Sequence, residues 1–330
     1  MASSTPVKYR LINSHNEIES KTEMHDFVSQ IPRITYRYGF TPVDGWYSDT
    51  GWGCMIRVAQ MMIAHTLMRH INHRLGSDPK NRLSCEELMK VVLPLFLDDY
   101  SKHEASFSIH NIIGISKTLI DKGAGEWYGA HSISQVIKVV NETYNTQYKH
   151  FKILTFNDGI VYKNQINEIF EEHKNNGLLV IMPIRWGLQK LDKWYHKQIK
   201  SALSHPLSVG ILGGKNIDAL YWIGFYNEKL ITLDPHTEQD VVTVINDDTI
   251  QTYVNRHPRT INISDCDTTM AFCFYLKDSE DASEFYTTIE SWKSSEKEEY
   301  LISILDQKKE LKYDADKEVE YHEDFELLSC

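Results

Sequence analysis

Near residue 150 the spacing of apolar residues changes from helical to strand-like, and that switch restricts the chain to folds in which a helical portion packs on a sheet. Before it, NEIESKTEMHDFVSQI (16–31) predicts a first helix through Ile18, Met24, Phe27, Val28 and Ile31. MIRVAQMMIAHTLMRHI (55–71), apolar on most sides, predicts a long buried helix. CEELMKVVLPLF, IHNIIGISKTLI and SISQVIKVVNETY predict three more between 85 and 150, the last opened by a capping box of Ser132 and Gln135. After the switch, FKILTF, LLVIMPI, SVGILGG, LYWIGFY, LITLD and MAFCFYL are short apolar runs with turn-rich boundaries, the mark of strands. Asn227, Glu228 and Lys229 predict a hairpin between two of them, and residues 41–53, rich in Pro, Gly, Ser and Asp, predict a loop. The expected fold class is α/β (α+β).

With 42% hydrophobic and 25% charged residues over 330 positions, the composition excludes a mainly disordered or fibrous chain. The net charge of −11 excludes a nucleic-acid binder, which needs a basic face, and a polybasic membrane anchor; it favours a partner with a basic surface. No stretch reaches the roughly 18 apolar residues of a membrane span, and the start MASSTPVKYR lacks the apolar run of a signal peptide, so a cytoplasmic protein is expected. The five cysteines (Cys54, Cys85, Cys266, Cys273, Cys330) are odd in number, scattered and without a CxxC pair. That pattern suits neither a disulfide framework nor a zinc site, and leaves free thiols among which to look for a nucleophile.

Cys54 stands out because it follows a glycine-flanked turn, Gly51-Trp52-Gly53, at the start of the buried helix. Unpaired backbone N–H groups and the helix dipole stabilise an anion there. Beside an imidazolium such a thiol falls from about 8.5 into the range of roughly 3.5 to 7.5. A second feature is LDPHTEQ, with Asp234 and His236 two residues apart at a strand end, where both point to one side and the carboxylate can orient the imidazole. Taken singly, each feature also fits a plainer reading, a small cysteine that packs and an ordinary strand-to-turn junction. His65, His70 and His73 are expected to be satisfied or surface histidines, and GGK at 213–215 lacks the spacing of a phosphate loop.

The block YSDTGWGCMIRVAQMM (47–62), together with LDPHTEQ (233–239), resembles the autophagy cysteine proteases, the autophagins, which are papain-like peptidases. The likeness extends through ITYRYGF (34–40), FSIHNI (107–112), GEWYGAHSISQVI (125–137), LLVIMPIRWGL (178–188) and SVGILGGK (208–215). The resemblance implies a papain-like protease domain over 16–304 with a helical auxiliary region inserted at 85–150. It implies Cys54 as nucleophile, His236 as general base, Asp234 as the residue that orients it, and Tyr36 with its hydroxyl in the oxyanion hole beside the Cys54 N–H. Trp127 and a second loop beginning at Gly213 and Gly214 are implied to cover the site and admit little more than glycine. Asn216 stands where many relatives are expected to carry a proline.

The implied reaction is acyl transfer to water through a thioester, with no metal or cofactor. The implied substrate is a ubiquitin-like autophagy modifier of the GABARAP type, cut after its C-terminal glycine to mature the precursor and to release the modifier from phosphatidylethanolamine. Action at autophagic membranes would be peripheral, and a monomer is expected. A protease or isopeptidase of another ubiquitin-like protein, or a non-catalytic modifier-binding homologue, are the alternatives. After Leu305 the chain carries nine acidic residues against four lysines, so 305–330 is expected to be a disordered tail. Within it Phe325 and Leu328, behind Glu323 and Asp324, resemble the modifier-binding motif at the C-terminus of some autophagins, a pattern suited to adding a strand to a partner's sheet. Tyr9-Arg10-Leu11-Ile12 fits the same pattern loosely.

Overall fold

In the computed structural model, which describes residues 7–12, 16–76, 78–98, 104–255, 257–292 and 301–307, the apolar runs after residue 150 hydrogen-bond into one mixed sheet. The chain opens with β1 (Arg10–Leu11), α1 (Lys21–Ser29) and a hairpin of β2 (Arg37–Val43) and β3 (Trp46–Ser48). The helices α2 (Cys54–Arg74), α3 (Cys85–Val92), α4 (Ile109–Ile120) and α5 (Ala130–Tyr144) follow. Next come β4 (Phe151–Thr155), β5 (Ile160–Tyr162), α6 (Lys163–Glu172), β6 (Gly177–Arg185) and α7 (His196–Ser204). The chain continues through β7 (Ser208–Lys215), β8 (Asp218–Tyr226), β9 (Lys229–Leu233), β10 (Gln239–Asp240) and β11 (Arg259–Asn262). It closes with β12 (Thr269–Leu276), α8 (Ser279–Glu290) and β13 (Ser303–Leu305).

The main sheet runs β11-β9-β8-β7-β12-β6-β4, with β1 added on β8. All its pairings are antiparallel except β4 on β6. Helices cover both faces, and β12 shows why its run is apolar throughout. Side chains alternate across a strand, so Tyr275 meets His70 of α2 on one face while Phe274 meets Phe285 of α8 on the other. α5 lies on β4, β6 and β12, α7 on β7 and β8, and the buried core is continuous from α2 through α5 into the sheet. This is an α/β fold of the papain-like kind. Among the described residues, no helix is long and apolar enough to cross a membrane.

Four expectations change. The first helix is shorter, beginning after Ser20, whose side chain caps it by accepting from Glu23 N. Residues 41–53 are only partly a loop: Asp44 and Gly45, both at positive φ, form the two-residue turn of the β2–β3 hairpin. The capping box is not at Ser132 and Gln135, which sit inside α5 behind its N-cap Gly129; it opens α3 instead, between Ser84 and Glu87. Three helices, α6, α7 and α8, lie among the strands where the pattern predicts none.

α2 is buried on nearly every side, and it carries a charge into that core. The Arg57 guanidinium is fully buried; Nε and Nη2 donate to Asp49 at 2.8 and 2.9 Å, and Nη1 reaches Asp98 at 2.7 Å. Burial alone would discharge it, and the two carboxylates more than reverse that, holding it charged well above the usual arginine value. The carboxylates are satisfied in turn, Asp49 by Arg37 N and Asp98 by Ile109 N. Removing one partner of such a group strands the others without water. Arg57→Met is expected to lower the unfolding free energy by about 3–5 kcal/mol in urea titrations; a loss below about 1 kcal/mol, the level of an exposed pair, would show that the network contributes nothing special.

Candidate active site

The first turn of α2 is shaped by that network. Asp49 O accepts from Trp52 N and Gly53 N, which folds the chain back so that α2 starts at Cys54. Residue 53 is glycine because a Cβ there would lie 2.3 Å from Asp49 Oδ2, the oxygen that binds Arg57 Nε. The thiol is thus presented, half-buried, at the end of a fixed helix.

The partners arrive from β9, where the chain leaves the sheet. Segments 33–38 and 234–240 run side by side: Arg33 Nε donates to Asp234 O (2.7 Å), Tyr36 N to Pro235 O (3.1 Å), and β10 pairs in parallel with β2. Within this frame His236 Nδ1 donates to Asp234 Oδ1 at 2.6 Å, and the same oxygen accepts His236 N at 2.9 Å. The other oxygen, Oδ2, accepts from Arg259 Nη1 at 2.8 Å. Asp234 and His236 therefore share a side, as their spacing predicts. Tyr36, nearly buried, meets the His236 ring edge-on with centroids 5.5 Å apart.

The groups that act on the Cys54 thiol are His236, the Ala219 backbone N–H and the Tyr36 hydroxyl, and the Gly51 N–H acts on Tyr36 in turn. Burial pushes the Cys54 thiol up, but these donors outweigh it and hold it below its ordinary value. Burial likewise opposes a charge on His236, yet its bonds to Asp234 and Cys54 push it up to about 9. Asp234 is held well below the usual carboxylate range, since the donors from His236 and Arg259 overcome burial. The two shifts point the same way, each favouring the charged form of its group and of its neighbour. Cys85, Cys266 and Cys273 are all pushed up by burial, so Cys54 is the one lowered thiol among the described residues.

Trp127 is half-exposed, with Nε1 donating to Gly51 O at 2.9 Å, and faces the β7–β8 hairpin across a cleft of about 330 Å³. Gly213 and Gly214 line that cleft as strand residues rather than as a loose loop. Added Cβ atoms would strike the Trp222 ring at 2.3 Å and Asp267 Oδ2 at 2.8 Å, so these glycines make room for neighbours. The hairpin tip is Asn216-Ile217, both at positive φ, a costly state for a β-branched residue. Just beyond it, Asp218 Oδ1 lies 3.8 Å from His236 Nε2. Phe325 and Leu328 lie outside the described residues, and Tyr9 and Ile12 are buried beside β1.

Sequence reasoning misses Asp49, Arg57, Arg259 and the Ala219 N–H. An arginine in the first turns of a helix apolar on most sides is a signal that a carboxylate must be buried with it, and Asp49 stands eight residues away. Nothing in the sequence points to Arg259.

Against families of known proteins, residues 21–288 match the model of the peptidase C54 catalytic domain. The cysteine protease ATG4A of Homo sapiens is 31% identical over 301 residues, covering 79% of this chain and 73% of its own length. The probable cysteine protease ATG4 of Kluyveromyces lactis is 29% identical, covering 79% of this chain and 57% of its own, and the cysteine protease ATG4 of Candida albicans 32% identical, covering 74% and 52%. The chain therefore spans little more than half the length of these two fungal relatives. The protein belongs to the peptidase C54 family of cysteine proteases.

Because Cys54 alone among the described residues combines a lowered pKa with partial exposure, iodoacetamide at neutral pH is expected to alkylate it ahead of Cys85, Cys266 and Cys273. Asp234→Asn should slow that labelling by weakening the imidazolium that holds the thiolate. Equal labelling of Cys54 and Cys85 in peptide mapping would mean that the thiol is not activated.

Proposed function

We propose that the chain is a cysteine endopeptidase of a ubiquitin-like autophagy modifier of the GABARAP type. The observation that carries this reading is the lowered Cys54 thiol among His236, Tyr36 and the Ala219 N–H, next in sequence to Met55, which lines a cleft together with Ala219 and Trp127. In the first half-reaction the Cys54 thiolate attacks the carbonyl of the modifier's C-terminal glycine. Negative charge builds on that oxygen, and the Cys54 N–H and Tyr36 O–H are the donors suited to stabilise it. The His236 imidazolium gives its proton to the departing nitrogen, and a thioester remains. Neutral His236 then takes a proton from water, the hydroxide opens the thioester, and the thiolate–imidazolium pair is restored. Asp234, held by Arg259 and Arg33, keeps the ring in the tautomer that both steps need.

Two leaving groups fit the same chemistry: the amine of the next residue in a precursor, and the amine of phosphatidylethanolamine in the lipid-conjugated modifier. The enzyme acts as a cytoplasmic monomer, reaching autophagic membranes peripherally. Selection for a residue without a side chain is assigned to Trp127 and the Gly213–Gly214 strand, which line the same cleft. In the free protein Ala219 N–H and Asp218 crowd Cys54 and His236, so the Asn216-Ile217 tip withdraws when substrate enters. Phe325 and Leu328 supply a second contact to the modifier, raising its effective concentration at the site.

Incubation of the purified protein with a modifier precursor, followed by intact mass, tests the reading. Wild type is expected to trim the precursor to its terminal glycine and to cut poorly when leucine replaces that glycine. Cys54→Ala should be inactive, and Phe325→Ala with Leu328→Ala should raise the apparent KM while sparing a short peptide reporter. Trimming by Cys54→Ala above background would remove Cys54 as nucleophile. Indifference to the terminal glycine would remove the cleft from the account.

A further inference from the structure

A cavity of about 860 Å³ opens beside the far half of α2, well away from the nucleophile. Arg69, on its wall, lies fifteen residues beyond Cys54, roughly 22 Å along the helix. Its volume falls within the range of about 300 to 1,000 Å³ that small-molecule sites occupy. Its lining is apolar at Phe27 and Ile31, at the end of α1, and at Leu88 of α3. It is cationic at Arg69, which is half-buried, and at Arg82, which is exposed. Lys277 also lines it but is already matched by Asp278 and Asp281, at 3.1 and 2.6 Å. Among the described residues, no aspartate or glutamate lines the cavity.

This is a local inversion of charge in a protein of net charge −11. Among the described residues, the arginines paired with carboxylates are Arg10, Arg57 and Arg259, which leaves the guanidiniums of Arg69 and Arg82 without such a partner. Arg69 donates only to the neutral carbonyls of Ser208 (3.3 Å) and Pro206 (2.7 Å) and lies 5.5 Å from the Tyr275 ring centre. A guanidinium has five donors, so three remain. Burial lowers Arg69 to about 10, a penalty that a bound anion would relieve. Neighbouring His65, 3.3 Å from the Tyr221 hydroxyl, is held neutral by burial and adds no compensating negative charge.

We propose that this cavity binds an amphipathic organic anion, with an oxyanion headgroup held by Arg69 and Arg82 and an apolar body against Phe27, Ile31 and Leu88. Such a ligand uses both kinds of lining at once: its headgroup meets planar donors suited to paired oxygens, and its body packs on the apolar residues. The site touches none of Cys54, His236 and Asp234, so occupancy does not require the substrate cleft to be free.

Fluorescence titration of the full chain with 8-anilinonaphthalene-1-sulfonate, an aromatic sulfonate carrying both parts, tests the proposal. One saturable site is expected in wild type, weakened about tenfold by Arg82→Glu, which removes a charged donor at an exposed position. Leu88→Trp, which fills the apolar lining, should weaken it independently, and circular dichroism confirms that each variant is folded. Octyl phosphate and phosphatidylcholine vesicles carrying phosphatidic acid separate the two sources of such a headgroup. Displacement by octyl phosphate without vesicle sedimentation assigns a soluble ligand, whereas sedimentation lost in Arg82→Glu assigns a membrane lipid. Equal probe affinity in wild type and both folded variants overturns the proposal, as does failure of both octyl phosphate and vesicles to displace the probe.

Discussion

The position of Cys54 depends on one buried charge. Arg57 lies three residues into α2, enclosed by Asp49 from the turn before the helix and Asp98 from the segment after α3. A guanidinium in such surroundings tolerates little displacement, because any slip leaves charge facing apolar side chains. The turn 49–53 is therefore fixed to the helix it precedes, and both are fixed to the region that carries α4. Gln60, which accepts from Arg57 and donates to Phe107 O, extends the same tie. An isosteric apolar core could be more stable. What the ionic network adds is direction: the Gly51 amide and the Cys54 thiol stand where the Tyr36 hydroxyl can meet both.

The second half of the site depends on backbone pairing rather than charge. His236 and Asp234 leave the sheet at the end of β9, and the parallel contact of β10 with β2 carries them against the strand that begins just after Tyr36. Two parts of the chain nearly two hundred residues apart are brought together by a few hydrogen bonds at one sheet corner. Each group then shifts its neighbour: Asp234 and Cys54 raise His236, His236 lowers both, and Arg259 steadies the carboxylate from outside. The electrostatics belong to the set rather than to any one residue.

Much of this was legible in the sequence because the signals were local. The long helix beginning at Cys54 and the six apolar strands follow from spacing, the Asp234–His236 pair from spacing together with the family resemblance, and the left-handed Asn227 closes the hairpin expected there. The β2–β3 hairpin had its own signal, Asp44-Gly45, obscured by a stretch otherwise rich in loop residues. Helix α8 was also signalled, by the Asp278 cap and the acids of its first turn. By contrast α6 and α7 start without a side-chain cap, and short apolar runs on either side mask their periodicity. Gly213 and Gly214 read as flexibility, yet packing against Trp222 and Asp267 requires them, a reason visible only in three dimensions. Arg259 and the Ala219 N–H act across strands, and no one-dimensional pattern announces such contacts.

In the free protein Cys54 and His236 each favour the other's charged form, and the protonation of His236 reports this directly. Nitrogen NMR of the labelled ring across a pH titration should find His236 protonated up to about pH 9 in the intact protein. In Cys54→Ala the midpoint should fall, because the thiolate that helps to hold the proton is gone. A midpoint near the ordinary value of about 6.5 in both proteins would contradict the account, since His236 would then titrate as an isolated histidine beside a neutral thiol.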